Sequence, residues 1–517
     1  MKFTHDVIVI GGGAGGLTAA GGCALFGLKV ALIEGHKMGG ECLNNGCVPS
    51  KALLAAAKRA AVAREGESMG VRIAPPVIDW NGVMGQVRRA MADIEHHDSV
   101  ETFEEMGCEV ILGHARLTGK HSVEVAGRTL QAPRIVLATG SRPFVPPIEG
   151  IDGVPYLTNE NLFELDEQPG HLLIVGGGNI GMEMAQAFRR LGSKVTVIEP
   201  DAIMGRDDPD CVAVMVEALH EEGVCFVHGK AKAVSGAAGS VRIEIEGAEA
   251  VEGTHLLIAT GRKARVEGFG ADELGLELGR NGFAVDKRRR TSVRSIYAIG
   301  DCRDGIRLTH VAGYEGSNVA LEIVTGLPTK VDYAALPWCT YTDPEIAQVG
   351  MTESDAREKL GDAITVVREE FSENERAVAE GASRGHLKLV MKGKKVLGAS
   401  VVGEHAGEML LPLAQSITGK TSTFALGSAI IAYPTRSEIS KAAAFSAWEP
   451  TVFGSLSKKY AALVAKLRRT FASAPAPNPV TRRPAHRPSR SRRRRCRSRS
   501  FPIPRSRPRA SRARMFR

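Results

Sequence analysis

Regular cysteine spacing is missing from this sequence. Its nine cysteines are scattered over 517 residues, which excludes a secreted disulfide framework and favours a reducing compartment. An export signal is missing too. The first apolar run, Val7–Ile10, stops after four residues at Gly11-Gly12-Gly13, far short of a signal core or a membrane span, so a soluble cytoplasmic protein is expected. The third absence is local: residues 472–517 hold 16 arginines and no acid, which leaves the preceding chain at −7 (+9 less 16). The folded part is therefore mildly acidic. Nucleic acid is not expected as its partner, and acidic polymers could bind only the tail.

What is present points to an α/β architecture. At roughly 100–200 residues per domain the chain should make about three domains, and 58 glycines suit many strand-to-helix turns. Two segments share one design. Residues 6–35, DVIVIGGGAGGLTAAGGCALFGLKVALIEG, run from an apolar strand through Gly11-x-Gly13-x-x-Gly16 and a small-residue helix to a strand ending in Glu34. Residues 171–200, HLLIVGGGNIGMEMAQAFRRLGSKVTVIEP, repeat this with Gly176-x-Gly178-x-x-Gly181 and Glu199. In such βαβ units the glycines allow a tight turn and close approach of pyrophosphate to the helix N-terminus, while the acid binds an adenosine ribose. Two Rossmann-like units predict two dinucleotides. Glu34 and Glu199 argue against a 2′-phosphate at either site, favouring FAD at the first and NADH at the second, with Arg206 keeping NADPH open.

Three further strand ends, IVLATGSRP (135–143), LLIATGRKA (256–264) and IYAIGDC (296–302), are expected to return the chain to a bound cofactor, with Asp301 a partner for flavin ribityl hydroxyls. Residues 336–450 carry no fingerprint and read as an α+β module. The expected organisation is a discontinuous FAD domain (1–155 and 290–335), an NAD(P) domain (156–289), an interface domain (336–450), a basic amphipathic helix (451–471) and a disordered Arg/Pro-rich tail (472–517). Leu456, Tyr460, Leu463, Val464 and Leu467 fall on one side of that helix, with lysines and arginines on the other, so a weak membrane-surface contact through residues 455–517 stands beside simple docking on the body.

The stretch GGECLNNGCVPSK (39–51) holds Cys42 and Cys47. Zinc needs four ligands, and a plant-type iron–sulfur site needs a cysteine three positions on, whereas the next is Cys108. No metal is expected, and a static disulfide stays as the alternative to a redox pair. For the redox pair speaks Pro49, suited to a first helical turn: Cys47 then sits just before a helix start, where the dipole and free N–H groups favour thiolate, and Gly46 lets the chain bend.

Together these motifs resemble the class I pyridine nucleotide-disulfide oxidoreductases, over about residues 6–450. The resemblance implies a homodimer in which hydride passes from NAD(P)H to FAD and electrons then pass to the disulfide. It implies that Cys47 is the flavin-facing thiol, Cys42 the interchange thiol, and Lys51 a neighbour of the flavin paired with Glu183. The cofactor-binding set it implies is Gly11, Gly13, Gly16, Glu34, Gly40, Lys51, Ala138, Thr139, Gly140, Gly176, Gly178, Gly181, Glu199, Gly261 and Asp301. Members that reduce organic disulfides carry His-Pro-Thr-x-x-Glu, the histidine reaching the partner's disulfide. Here AYPTRSE puts Tyr433 in that place, with Glu438 retained. A phenol ionises near 10 and an imidazole near 6.5, so Tyr433 is a poor base. The expected function is a mercuric-reductase-like oxidoreductase acting on a soft metal, a quinone or another small acceptor. The alternatives are dihydrolipoamide dehydrogenase and an inactive flavoprotein serving as an interaction partner. A second cysteine pair, used by mercuric reductases at their C-terminus, is replaced by the single Cys496.

Overall fold

A computed structural model of the chain describes residues 2–472. The expectation of a disordered tail falls outside the described residues from 473 onward. Strand β1 (Val7–Ile10), helix α1 (Ala14–Leu25) and strand β2 (Val30–Glu34) form the first βαβ unit. Both strands are buried at every position, the pattern of strands covered on two faces. The sheet orders 296–298, 134–137, β1, β2 and 108–112, all parallel. Helix α1 can be almost entirely small residues because helix Thr309–Thr325 lies close against it: a Cβ on Gly316 would stand 2.5 Å from Gly15 O.

The second unit orders Cys225–His228, Lys194–Glu199, His171–Val175 and His255–Ile258 in a four-stranded parallel sheet. Its helix Asn179–Leu191 follows the second fingerprint. The boundary expected at residue 289 divides the cores differently from the packing. Phe269, Leu276 and Phe283 lie in the core of the first sheet, with Ile8 and Leu137.

Helices α2 (Gly40–Asn44) and α3 (Cys47–Glu65) follow the first unit, and α4 (Trp80–Glu95) returns alongside α3. Leu53 and Ala57 of α3 share a core with Met182 and Phe188 of helix Asn179–Leu191. The third module is a five-stranded antiparallel sheet ordered 337–340, 345–350, 395–403, 386–392 and 365–370. Helices Leu410–Ile417 and Glu438–Ser446 contribute Leu413 and Ile439 to its core. Polar side chains seam it to the second unit: Arg190, braced within that unit by Glu222 at 2.6 Å, pairs across with Asp343 at 3.0 Å, and Trp338 Nε1 donates to Asp207 at 2.8 Å.

Residues 1–453 make one compact unit and residues from 454 onward another. In the latter the basic helix runs Ser455–Ala472, four residues later than the expected boundary, because the short helix Glu449–Val452 and Gly454 precede it. Among the described residues no helix is long and apolar enough to cross a membrane.

Candidate active site

Glycine geometry prepares both nucleotide sites. Gly11 has φ +111°, and a Cβ there would stand 2.2 Å from Ala138 O; Gly176 repeats this with φ +118° and Ala259 O at 2.4 Å. Only glycine allows both the conformation and the approach. Gly16 and Gly181 pack on the carbonyls of Gly11 and Gly176. A Cβ on Gly13 would find nothing nearer than Gly40 Cα at 3.7 Å, and one on Gly178 nothing within 4 Å, so both faces are open to a ligand. Neither following helix has a side-chain cap or an acid in its first turn, which leaves free N–H groups for pyrophosphate. Glu34 accepts from Gly12 N (2.5 Å) and His36 N (2.7 Å), and Glu199 from Gly177 N (2.5 Å) and Asp201 N (3.0 Å). Each carboxylate is fixed at its strand end with lone pairs to spare for ribose.

The remaining expected cofactor residues divide between the two sites. Ala138, Thr139 and Gly140 end the strand beside β1, with Ala138 N bonded to Ile10 O at 2.8 Å and Thr139 Oγ1 to Arg265 O at 2.7 Å. Gly261 ends strand His255–Ile258, beside the second fingerprint. Asp301 Oδ2 accepts from Ser141 Oγ at 2.7 Å and lies 3.7 Å from Arg262 Nε. Arg262 also pairs with Glu41, next to Cys42, whose Oε1 is buried without a hydrogen-bond partner. An orphaned acceptor between Asp301 and the cysteine loop fits a hydroxyl-rich ligand such as the flavin chain.

Cys42 is the third residue of α2, and α3 begins at Cys47 itself, one residue earlier than expected, with Pro49 inside its first turn. Gly46 serves by close approach and not by a left-handed bend. Its φ is −135°, and a Cβ there would come within 2.9 Å of Glu41 O. The two sulfurs are unbridged in this structure. The hydrogen bond from Cys42 draws Cys47 down to about 6, assisted by Thr309 Oγ1, 3.2 Å from its sulfur, and by Lys51, with burial opposing. The same bond, together with burial, holds Cys42 protonated well above the usual thiol range. At pH 7 the pair is a thiolate beside a thiol. Thr309 starts helix Thr309–Thr325, so Cys47 faces two helix N-termini.

Lys51, one turn along α3 from Cys47, meets Glu183 at 2.8 and 3.0 Å. Glu183 is buried and also accepts from Tyr341 N at 2.9 Å, and the Lys51 ammonium stands 4.5 Å from the Tyr341 ring centre. A cleft of about 690 Å³ opens at Cys47, walled by Ala52, Ala55 and Ala56 of α3 and Gln86, Ala90 and Ile94 of α4, with Arg59 further along. Tyr433 is not among its lining residues within the chain. The Tyr433 phenol donates to Glu375 and not to Glu438, whose Oε2 instead accepts from Thr435 N at 3.2 Å.

Thr309, Tyr341, Arg262, Glu41 and Glu375 had no place in the sequence reading. Only Thr309 left a signal there, at a helix start shortly after the GDC strand end. Among the described residues one buried cluster, Asp208, Cys211 and His386, has metal-ligand types. The Lys388 ammonium, 3.0 Å from Asp208 and 3.1 Å from Glu353, already balances its charge.

Two dinucleotide units converging on a dithiol define a nucleotide-dependent disulfide oxidoreductase. Residues 5–316 match the pyridine nucleotide-disulphide oxidoreductase model and residues 336–444 its dimerisation domain. The chain belongs to the pyridine nucleotide-disulphide oxidoreductase family. It is an FAD-dependent enzyme of that family, which implies NAD(P)H as the second cofactor, and its third module points to a homodimer. It is 32% identical to a mercuric reductase of Lysinibacillus sphaericus over 86% of this chain and 82% of that one. It is 35% identical to a dihydrolipoyl dehydrogenase of Chlorobaculum tepidum over 86% and 98%. The HOCl-induced flavoprotein disulfide reductase RclA of Escherichia coli has a similar structure, with TM-score 0.77, 28% identity and coverage of 85% and 99%.

Proposed function

We propose that the enzyme takes electrons from NADH and delivers them through the Cys42–Cys47 pair to a soft, thiol-seeking metal ion, with quinones and other small acceptors as the neighbouring class. The observation that carries this reading is Tyr433, a phenol where disulfide-reducing members have an imidazole, with its proton committed to Glu375. A departing organic thiolate needs a proton that this pair is badly placed to give. A metal held by two thiolates needs none. RclA is also known as a Cu(II) complex, which agrees with a metal-ion acceptor.

The residues divide the work as follows. Bound FAD supplies acceptance of hydride from the nicotinamide and passage of the electron pair to the disulfide. Cys47 is the flavin-facing thiolate, kept ionised by Cys42, Thr309 and Lys51, and Cys42 is the thiol that meets the acceptor. Glu183 fixes the Lys51 ammonium beside the flavin. Glu199 receives the adenosine ribose and disfavours a 2′-phosphate, hence NADH. In the homodimer Tyr433 faces the partner's disulfide, and residues 336–450 supply the interface. Dihydrolipoyl dehydrogenase is the second reading, favoured by the nearly full-length match to the Chlorobaculum enzyme.

Anaerobic titration with NADH and NADPH tests the scheme. The long-wavelength absorbance of a thiolate against flavin should appear, at lower NADH than NADPH, and mercuric ion or a quinone should then turn over faster than lipoamide or glutathione disulfide. Absence of that absorbance would sink the redox pair, and fast lipoamide turnover would sink the acceptor.

A further inference from the structure

Tyr433 is exposed, yet its surroundings are not loose. Its hydroxyl donates to Glu375, first residue of the short helix Glu375–Ala379. That helix is tied to the Tyr433 loop at both ends. Asn374, 6% exposed, caps it by accepting from Ala377 N at 3.0 Å and donates Nδ2 to Thr435 O at 3.1 Å. At the far end Arg436, 9% exposed, donates to Glu380 Oε2 at 2.6 Å. An exposed pair of side chains is ordinarily worth little. Here the two segments are held together by partly buried bonds from the buried side chains Asn374 and Arg436, so the phenol and carboxylate meet without ordering either segment anew.

We infer that Glu375 is the positioning residue of the acceptor site, forming with Tyr433 a phenol–carboxylate pair in place of an imidazole–glutamate pair. The inference rests on the acceptor reading above. With its proton turned to Glu375, the phenol presents lone pairs outward, which suits an incoming cation or hydrogen-bond donor. Glu375, by hydrogen bond and charge, and Glu438, by charge, push the phenol above its ordinary range. The nearby cation Arg436 is occupied by Glu380 and Glu404.

The test uses full-length holoenzyme: wild type, Tyr433→Phe, Glu375→Gln, Glu375→Asp and the Phe/Gln double variant. Tyrosinate absorbance after rapid pH jumps, taken as a difference from Tyr433→Phe, isolates Tyr433. Its midpoint should lie above the ordinary phenol value of about 10 in wild type and move down toward it in Glu375→Gln. With mercuric chloride as acceptor, kcat/KM should fall about tenfold in Glu375→Gln and Tyr433→Phe alike. The double variant should be no worse than either single variant, and Glu375→Asp should recover part of the loss. An unmoved midpoint, or losses that multiply in the double variant, overturns the inference. A wild type inert toward mercuric chloride overturns the acceptor reading instead, and the tyrosinate midpoint then decides the pairing by itself.

Discussion

Removing the Cys42 thiol asks where the acidity of Cys47 comes from. The Cys47 thiol is drawn from 9.0 to about 6, chiefly by the hydrogen bond from Cys42 and then by Thr309 and Lys51, against the opposing effect of burial. A hydrogen bond to a charged acceptor contributes roughly 1.5–3 kcal/mol. Cys47 borders an open cleft, so solvent screening puts the lower end of that range in force, and at 1.36 kcal/mol per unit this is about one pKa unit. Cys42→Ala should therefore titrate near 7, while Cys42→Ser, which keeps a hydroxyl donor, should stay near 6. Neither variant can form the disulfide, so the oxidised holoenzyme already holds a free Cys47. Its ionisation is read from long-wavelength thiolate–flavin absorbance and, independently, from the pH dependence of alkylation by iodoacetamide. Because thiolate is the form above the pKa, the alanine variant should lose signal between about pH 7 and 6 where the serine variant keeps it. An alanine variant that still titrates near 6 would refute the reasoning and assign the acidity to the two helix starts and Lys51.

Gly178→Val should fold with an unchanged melting temperature and raise KM for NADH, since nothing lies within 4 Å of its Cβ; Gly181→Val, whose Cβ meets Gly176 O at 2.1 Å, should lower the melting temperature as well. Glu199→Gln keeps a hydrogen-bonding group at the strand end but removes its charge, and steady-state comparison should show the NADPH-to-NADH ratio of kcat/KM rising severalfold. Tyr433→His should raise turnover of lipoamide by about a hundredfold, the low end of what a positioned acid–base group contributes; no gain would refute the assignment of the missing imidazole as the obstacle to disulfide reduction.

Legibility followed sequence distance. The fingerprints, their terminal acids and the cysteine pair are each written within 30 residues, because turn glycines and helix starts are local necessities, and the parallel sheets follow from them. The pairing of Lys51 with Glu183 could be anticipated only through the family resemblance. Partners joined by tertiary folding were invisible. Glu375 and Tyr433 are 58 residues apart, and Thr309 and Cys47 are 262 apart, all of ordinary type and without periodic spacing. Phe269, Leu276 and Phe283 follow the second fingerprint in sequence but fill the first core, which no local pattern records. The role of Gly46 was misjudged for a related reason: the atom that demands glycine is Glu41 O across the turn.

The seam of Arg190, Glu222, Asp343, Trp338 and Asp207 bears on how the enzyme must work in time. It fastens the second nucleotide unit to the third module, while α3 fastens that same unit to the cysteines. A nucleotide site held from two sides has little freedom to swing, so the spacing between the two redox partners is fixed at folding and not remade each cycle. Turnover across such a frame should feel solvent viscosity only in the arrival and departure of small molecules.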